Sequence, residues 1–189
     1  ELSDRDGAAA RDAGLRETER HLSRRQGLVG LHASFTVSDA LLRRAVALAR
    51  AHGFGLHVHA AEAPEDEELC LRRHGVRVLE RFAAAGALDS PRGILAHGLH
   101  LDAAERRLLT GSPVWLAQNP ESNRHNGVGE LDASGLGDRL LLGTDGMHGD
   151  MLASARAAYH AGCARGGMAP LDAYRRLRRA HDYLSLNGF

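Results

Sequence analysis

Two histidines and a glutamate that lie close together in the chain could bind a metal ion and move protons. His57 and His59 are two positions apart in a segment that reads as a strand, so both rings are expected on the same face of a sheet. Neutral imidazole nitrogens are good ligands for Zn and Fe, and Glu62 follows three positions later, where its carboxylate could exchange protons over the same site. The alternative is two half-buried histidines beside a solvated glutamate, and this segment alone does not decide between the two.

Two other segments place chemically active side chains after apolar runs. Asp145 ends the apolar segment that begins at Leu141, and a buried carboxylate there needs a metal ion or a proton as its partner. The alternative is that Asp145 caps a helix beginning near Gly149. His97 likewise ends an apolar run, whereas His100 reads as a surface loop histidine.

The elements that must position these residues alternate between strand and helix. Apolar runs predict strands over residues 28–32, 55–60, 93–97, 114–117 and 139–144. Helices are predicted over residues 11–25, 38–51, 64–85, 102–110, 150–163 and 170–184. The signals are helical periodicity, capping residues at Ser38 and Asp102, and prolines in first turns. The polar residues 118–138 predict a long loop that has room for one helical turn.

Each predicted strand has a polar residue at or just past its carboxyl end. These residues are His32, His59, His97, Asn119 and Asp145. An open doubly wound sheet also binds ligands at strand ends, but only at a switch point, and the chain has no glycine-rich phosphate loop. Five polar strand ends favour an α/β fold that is a partial (β/α)8 barrel, with residues 1–189 as a single domain. A complete barrel has eight strands, so the remaining wall must come from elsewhere.

Composition excludes several classes of partner. The 24 basic residues, all of them Arg, balance 24 acidic residues. The sequence therefore predicts no positive electrostatic field that would attract nucleic acid or an anionic membrane. No apolar run approaches the roughly 20 residues of a membrane helix, and the chain start does not read as a signal peptide. A cytoplasmic protein that acts on a small molecule is expected.

Taken in strand order, the segments resemble the amidohydrolase superfamily, in its deaminase and chlorohydrolase branch. The resemblance rests on Leu31-His32-Ala33-Ser34, His59-x-x-Glu62, Ala96-His97-Gly98, Asn119-Pro120-x-Ser122-Asn123 and Gly143-Thr144-Asp145-Gly146, which match segments of the family's strands 4 to 8. Within the branch, Ser3-Asp4-Arg5-Asp6-Gly7 and Thr144-Asp145-Gly146-Met147 are most similar to aminohydrolases associated with selenium metabolism.

The resemblance implies a hydrolase of C–N bonds other than peptide bonds. Because the chain lacks the lysine that bridges two metals in binuclear members, one divalent ion, Zn or Fe, is implied, with His59 and Asp145 as ligands. The implied catalytic residues are Glu62, His97 and Asp145, and the implied substrate contacts are His32, Asn119 and Asn123. The substrate would be an aminated heterocycle that loses ammonia.

A second hypothesis remains open at this point. The first-strand H-x-H pair that supplies two further metal ligands in the family is not in this sequence, so the chain reads as the carboxyl-terminal part of a barrel. Such a chain could be a non-catalytic scaffold without a complete metal site. A homodimer is expected for the complete protein on family resemblance alone.

Overall fold

The computed structural model describes residues 1–188, and within them a parallel five-stranded sheet is accompanied by eight helices. The strands are β1 (Val29–Ala33), β2 (Leu56–Ala60), β3 (Ile94–His97), β4 (Trp115–Gln118) and β5 (Leu140–Leu142). The helices are α1 (Gly7–Leu22), α2 (Asp39–Ala51), α3 (Pro64–His74), α4 (Val78–Ala84), α5 (Ala103–Gly111), α6 (Pro120–His125), α7 (Met151–Ala164) and α8 (Pro170–Asn187).

The strands lie side by side in chain order, β1-β2-β3-β4-β5, and every neighbouring pair is parallel. A helix or a helical segment separates each strand from the next, as right-handed strand–helix–strand units require. In the register, His59 lies beside Ala96 and Ala60 beside His97. All five carboxyl ends therefore open on one edge of the sheet.

One face of the sheet carries the main core. Val58, Leu95, Leu116 and Leu140 lie side by side in the register of the sheet and belong to one apolar cluster with buried residues of α2 and α4. These four side chains are at most 3% exposed. The opposite face, called the inner face from here on, carries the histidines of β2.

Helix α8 covers part of the inner face. The ring of Tyr183 packs edge-on against Trp115, with ring centroids 5.6 Å apart, in a second apolar cluster that includes Leu141. The Tyr183 hydroxyl donates to the carbonyl of Arg92 (2.9 Å), just before β3 begins. The carboxyl-terminal half of α8 therefore lies at the amino ends of the strands, away from the edge where the polar residues gather.

The amino terminus adds a short stretch of pairing beside β1. Leu2 forms a parallel bridge with Leu31. Its N–H donates to Gly30 (2.8 Å), and its carbonyl accepts from the N–H of His32 (3.0 Å). This bridge places the backbone of Glu1 beside Gly30, and the Glu1 carboxylate reaches His59 on β2.

The structure corrects two element predictions. The single helix predicted over residues 64–85 is two helices, because Gly75 adopts φ +72° and ends α3, and α4 restarts at Val78. The predicted long loop contains the six-residue helix α6, which Pro120 opens at its first turn.

The remaining boundaries shift by a few residues. Helix α1 covers Gly7–Leu22 rather than residues 11–25, α8 extends to Asn187, and the last strand is only Leu140–Leu142. The caps at Ser38, which accepts from the Leu41 N–H, and at Asp102, which accepts from the Ala104 N–H, are confirmed. Among residues 1–188, no helix combines the length and apolarity needed to cross a bilayer.

Candidate active site

Three histidine rings from neighbouring strands lie in a row at the carboxyl edge of the sheet. The ring centroid of His59 is 5.4 Å from that of His32 on β1 and 5.3 Å from that of His97 on β3. His97 is fully buried, whereas the other two rings are half-buried. The alternation of strands and helices thus brings together residues that are 27 to 38 positions apart in the chain.

Two carboxylates converge on His97. Its Nε2 atom lies 3.7 Å from Glu62 Oε2 and 3.9 Å from Asp145 Oδ2. One potential ligand atom from each of the three residues lies within 4.8 Å of the others. These distances exceed a direct hydrogen bond, so one small atom between the groups can contact all three.

His97 is held from behind by helix α6. Its Nδ1 atom lies 2.8 Å from Oδ1 of Asn123, and because the amide oxygen only accepts, the ring donates from Nδ1 and leaves Nε2 to face the two carboxylates. Asn119 places its Nδ2 atom 3.5 Å from Nε2. Asn123 is 0% exposed, so its side chain orients His97 and does not itself line the open surface.

Asp145 is held by a residue that the sequence argument did not single out. Ser122 donates to Asp145 Oδ2 (2.6 Å), and the N–H of Gly146 donates to Oδ1 (2.7 Å). Burial pushes the pKa of Asp145 upward, but these hydrogen bonds and the nearby His97 ring outweigh burial and leave the pKa below its usual value. Ser122 lies within the quoted Asn119–Asn123 segment, yet nothing in the sequence pairs it with a residue 23 positions away.

Backbone strain marks the same edge. Ala61, His97 and Asp145 are the non-glycine residues with positive φ within residues 1–188, at +49°, +75° and +55°. Each follows or ends a strand, and such conformations persist where the surrounding structure over-determines them. Gly143 is required by close approach, because a Cβ there would collide with Oδ1 of Asn119.

His32 and His59 form a second group with Glu1. One ligand atom from each lies within 4.8 Å of the others, and Glu1 Oε1 is 3.8 Å from His59 Nε2. The Nδ1 atom of His32 lies 2.8 Å from the hydroxyl of Thr36. Burial, together with the charge of Arg5, lowers the pKa of His32 and favours the neutral ring.

The structure locates the other residues that the sequence analysis discussed. His57 shares the inner face with His59 and is exposed. His100 is not a free surface histidine: its Nε2 lies 3.0 Å from the Val128 carbonyl. Asp150, rather than Asp145, caps helix α7 by accepting from the N–H groups of Leu152 and Ala153.

The donor set suits a divalent cation. Imidazole nitrogens and ionised carboxylates are the ligands that zinc and iron take in proteins, and both types face one another between β2, β3 and the end of β5. Asp145 has the lowered pKa that a ligand carboxylate needs. His59 and Asp145, the two predicted ligands, fall in different three-residue groups: His59 lies with Glu1 and His32, whereas Asp145 lies with Glu62 and His97.

Comparison with known proteins relates the chain to deaminases. The model of the amidohydrolase family matches residues 9–177. The chain is 33% identical over 135 residues to an 8-oxoguanine deaminase of Pseudomonas aeruginosa, a match that covers 67% of this chain and 29% of that protein. It is 36% identical over 130 residues to a 5-methylthioadenosine/S-adenosylhomocysteine deaminase of Nitratidesulfovibrio vulgaris, with 67% and 29% covered.

Solved structures show the same fold. An adenosine deaminase from Xanthomonas campestris with bound zinc superposes with a TM-score of 0.84 at 24% identity, over 96% of this chain and 46% of that one. Guanine deaminase of E. coli gives a TM-score of 0.86 at 19% identity, over 100% and 48%. The chain thus spans less than half the length of these relatives. It belongs to the amidohydrolase family, and its five strands form part of a (β/α)8 barrel.

Proposed function

We propose that this chain supplies the carboxyl-terminal part, about strands 4 to 8, of a single barrel domain that hydrolytically deaminates an aminated heterocycle. The observation that carries the proposal is the convergence of Glu62 and Asp145 on His97 at the carboxyl edge of the sheet. A scaffold has no need for two carboxylates that lie within 4 Å of one buried imidazole. The relatives named above are deaminases of purine-containing compounds, which supports a small-molecule substrate of that type.

His59 and Asp145 would hold one divalent ion, zinc or iron, together with ligands from elsewhere in the barrel. When bound, the ion lowers the pKa of a coordinated water and makes it a nucleophile at neutral pH. Asp145 is suited to this place because the hydrogen bonds from Ser122 and Gly146 keep its carboxylate ionised.

The chain's own residues would then move the protons. Asp145 accepts a proton from the attacking water, and Glu62, whose side chain is 30% exposed, delivers a proton to the ring nitrogen or to the leaving amine. His97 presents Nε2 to the same point and stabilises the charge that develops there. Water adds at the carbon that carries the amino group, ammonia leaves, and a carbonyl remains.

His32 and Asn119 would contact the substrate. His32 on β1 lies two strands away from His97 on β3, and the exposed ring of Phe35 lies edge-on to His32 at 5.9 Å between centroids. Asn119 places its Nδ2 atom 3.5 Å from the Nε2 atom of His97, the atom that the two carboxylates also face. Asn123 would act on the substrate only through the orientation of His97.

The proposal is tested by separating metal binding from proton transfer in the complete gene product. Glu62→Gln should keep the metal content and lose about 10²- to 10⁴-fold in the rate of ammonia release, because a general acid is removed. Asp145→Asn should lose both metal and activity. The matched control is Glu65→Gln, an exposed carboxylate on the next turn. Full activity of Glu62→Gln would refute the assigned role.

A further inference from the structure

We propose that Asp66 is a positioning residue that holds Glu62 against His97 by fixing the backbone of Ala61. The proposal rests on the proposed function for the role of Glu62 but concerns a residue that neither binds metal nor reaches the surface. Asp66 is 3% exposed and stands in the first turn of α3, four positions after Glu62.

The first step of the argument is the contact between Asp66 and the loop that carries Glu62. The Oδ2 atom of Asp66 accepts a hydrogen bond from the N–H of Ala61 (2.8 Å), in a fully buried place. Hydrogen bonds to an ionised acceptor are stronger than those between neutral groups. The Asp66 carboxylate, in the first turn of α3, therefore fixes the backbone of Ala61, which lies between His59 and Glu62 in the chain.

The second step is the conformation of Ala61. Its φ of +49° lies in the left-handed region, which is unfavourable for a residue with a Cβ. Ala61 is 0% exposed, so water cannot pair with its N–H if Asp66 is removed. The left-handed turn aims the following residue, Glu62, back over the end of β3.

The third step joins this turn to the loop after His97. The carbonyl of Ala61 accepts from the N–H groups of Leu99 (2.9 Å) and His100 (3.1 Å). The Ala61 residue is thus anchored to Asp66 through its N–H and to the His97 loop through its carbonyl. These contacts set the 3.7 Å separation between Glu62 Oε2 and His97 Nε2.

One oxygen of the Asp66 carboxylate is unpaired. Its Oδ1 atom is buried and has no hydrogen-bond partner within residues 1–188. Burial raises the pKa of Asp66 to about 6, while contacts with the backbone N–H groups of Ala61 and Glu62 act in the opposite direction. These contacts tie the Asp66 carboxylate to the turn that carries Glu62.

The test is hydrogen–deuterium exchange of the Ala61 amide in the full chain, followed residue by residue. Asp66→Ala should raise the exchange rate of this amide by roughly tenfold or more, the size expected for loss of one charged hydrogen bond. Asp66→Asn keeps an oxygen at the same place and should restore most of the protection. Glu67→Gln is the matched control, because Glu67 accepts from the Val78 N–H (3.1 Å) and does not touch Ala61.

A double substitution keeps the proposal testable if Asp66→Ala fails to fold. Glycine adopts positive φ without strain, so Ala61→Gly should restore folding in the Asp66→Ala background. Unchanged Ala61 exchange in Asp66→Ala, or a lack of rescue by Ala61→Gly, would overturn the proposal.

Kinetics separate this proposal from the proposed function. In the complete, metal-loaded protein, Asp66→Ala should lower kcat at least tenfold while KM and metal content stay unchanged, because only the placement of a proton-transfer group is altered. If no variant releases ammonia but the exchange result holds, the proposed function fails and the positioning role stands. If ammonia release is normal in Asp66→Ala, the positioning role fails alone.

Discussion

At the scale of single residues, the site is built from pairs in which one side chain orients another. Asn123 orients His97 by accepting a hydrogen bond, Ser122 orients Asp145 by donating one, and both side chains come from the same short helix, α6. Outer partners of this type fix the direction of a ligand or catalytic group and keep it in the required protonation state. Helix α6 is therefore part of the site even though it is only six residues long.

Ser122 provides the first prediction. Ser122→Ala removes the 2.6 Å hydrogen bond to Asp145 and should weaken zinc binding by about 10- to 100-fold, the usual effect of losing an outer partner of a metal ligand. Competition with a chelator at pH 7 measures the change in the complete gene product. Ser112→Ala is the control, because Ser112 donates to the Leu109 carbonyl far from the site. Equal affinity in both variants would contradict the assigned role of Ser122.

At the scale of secondary-structure elements, Tyr183 shows how α8 is attached. Tyr183→Phe removes one hydrogen bond, to the Arg92 carbonyl, and should lower the free energy of unfolding by about 1 kcal/mol. Tyr183→Ala also removes the ring that packs on Trp115 and should cost about 3–5 kcal/mol. Tyr174→Ala, on an exposed part of the same helix, should change stability by no more than ~0.5 kcal/mol. Urea denaturation measures all three, and equal costs at the two tyrosines would contradict this packing.

A buried pair of carboxylates joins α3 to α5. Burial, followed by repulsion from Glu105, raises the pKa of Glu67 to about 8. Glu105 is fully buried and accepts from Nε of Arg77 (2.7 Å). Because the folded state holds a proton on Glu67 that the unfolded chain has released, this residue's contribution to stability is complete at acid pH and is lost as the pH rises towards 8.

The pH dependence of stability tests this pair. Between about pH 5 and pH 8, the free energy of unfolding of the original chain should fall relative to that of Glu67→Gln, since the variant has no proton to lose at this position. Thermal or urea unfolding at several pH values gives the difference. Glu68→Gln, an exposed neighbour, should run parallel to the original chain. A constant difference between the original chain and Glu67→Gln would show that Glu67 is ionised throughout.

The elements were largely predictable because their signals are local. Pro64 and the periodicity after it place the start of α3, and Asp102 caps α5 as its spacing to Glu105 indicates. The break at Gly75 was missed because the apolar periodicity continues across it. Helix α6 was predicted only as one helical turn in a loop because its residues are polar and favour turns, and it forms where Asn123 and Ser122 gain buried partners.

The site was predictable only in part for the same reason. His59, His97 and Asp145 could be recognised in the sequence because each is a polar residue at the end of an apolar run. Ser122 and Asp66 have no such mark, since their importance depends on contacts with Asp145 and Ala61 that only the folded chain creates.

At the scale of the whole molecule, the chain forms a five-stranded parallel sheet with the candidate site at its carboxyl edge. The barrels of its relatives are built from longer chains. The matched region covers 29% of the 8-oxoguanine deaminase and 48% of the E. coli guanine deaminase, and Leu2 forms a further parallel bridge beside β1. The residues proposed to move protons, Glu62 and Asp145, lie in this chain, while a complete metal site needs more ligands than His59 and Asp145. Activity is therefore expected of the complete barrel.

The most direct test of this account is ammonia release by the complete gene product, with one equivalent of zinc or iron bound, from a panel of aminated purines, pterins and triazines. The account predicts release from at least one of these compounds, dependent on the metal and abolished by Asp145→Asn. Stoichiometric metal with no ammonia from any compound, or ammonia release that survives Asp145→Asn, would contradict it.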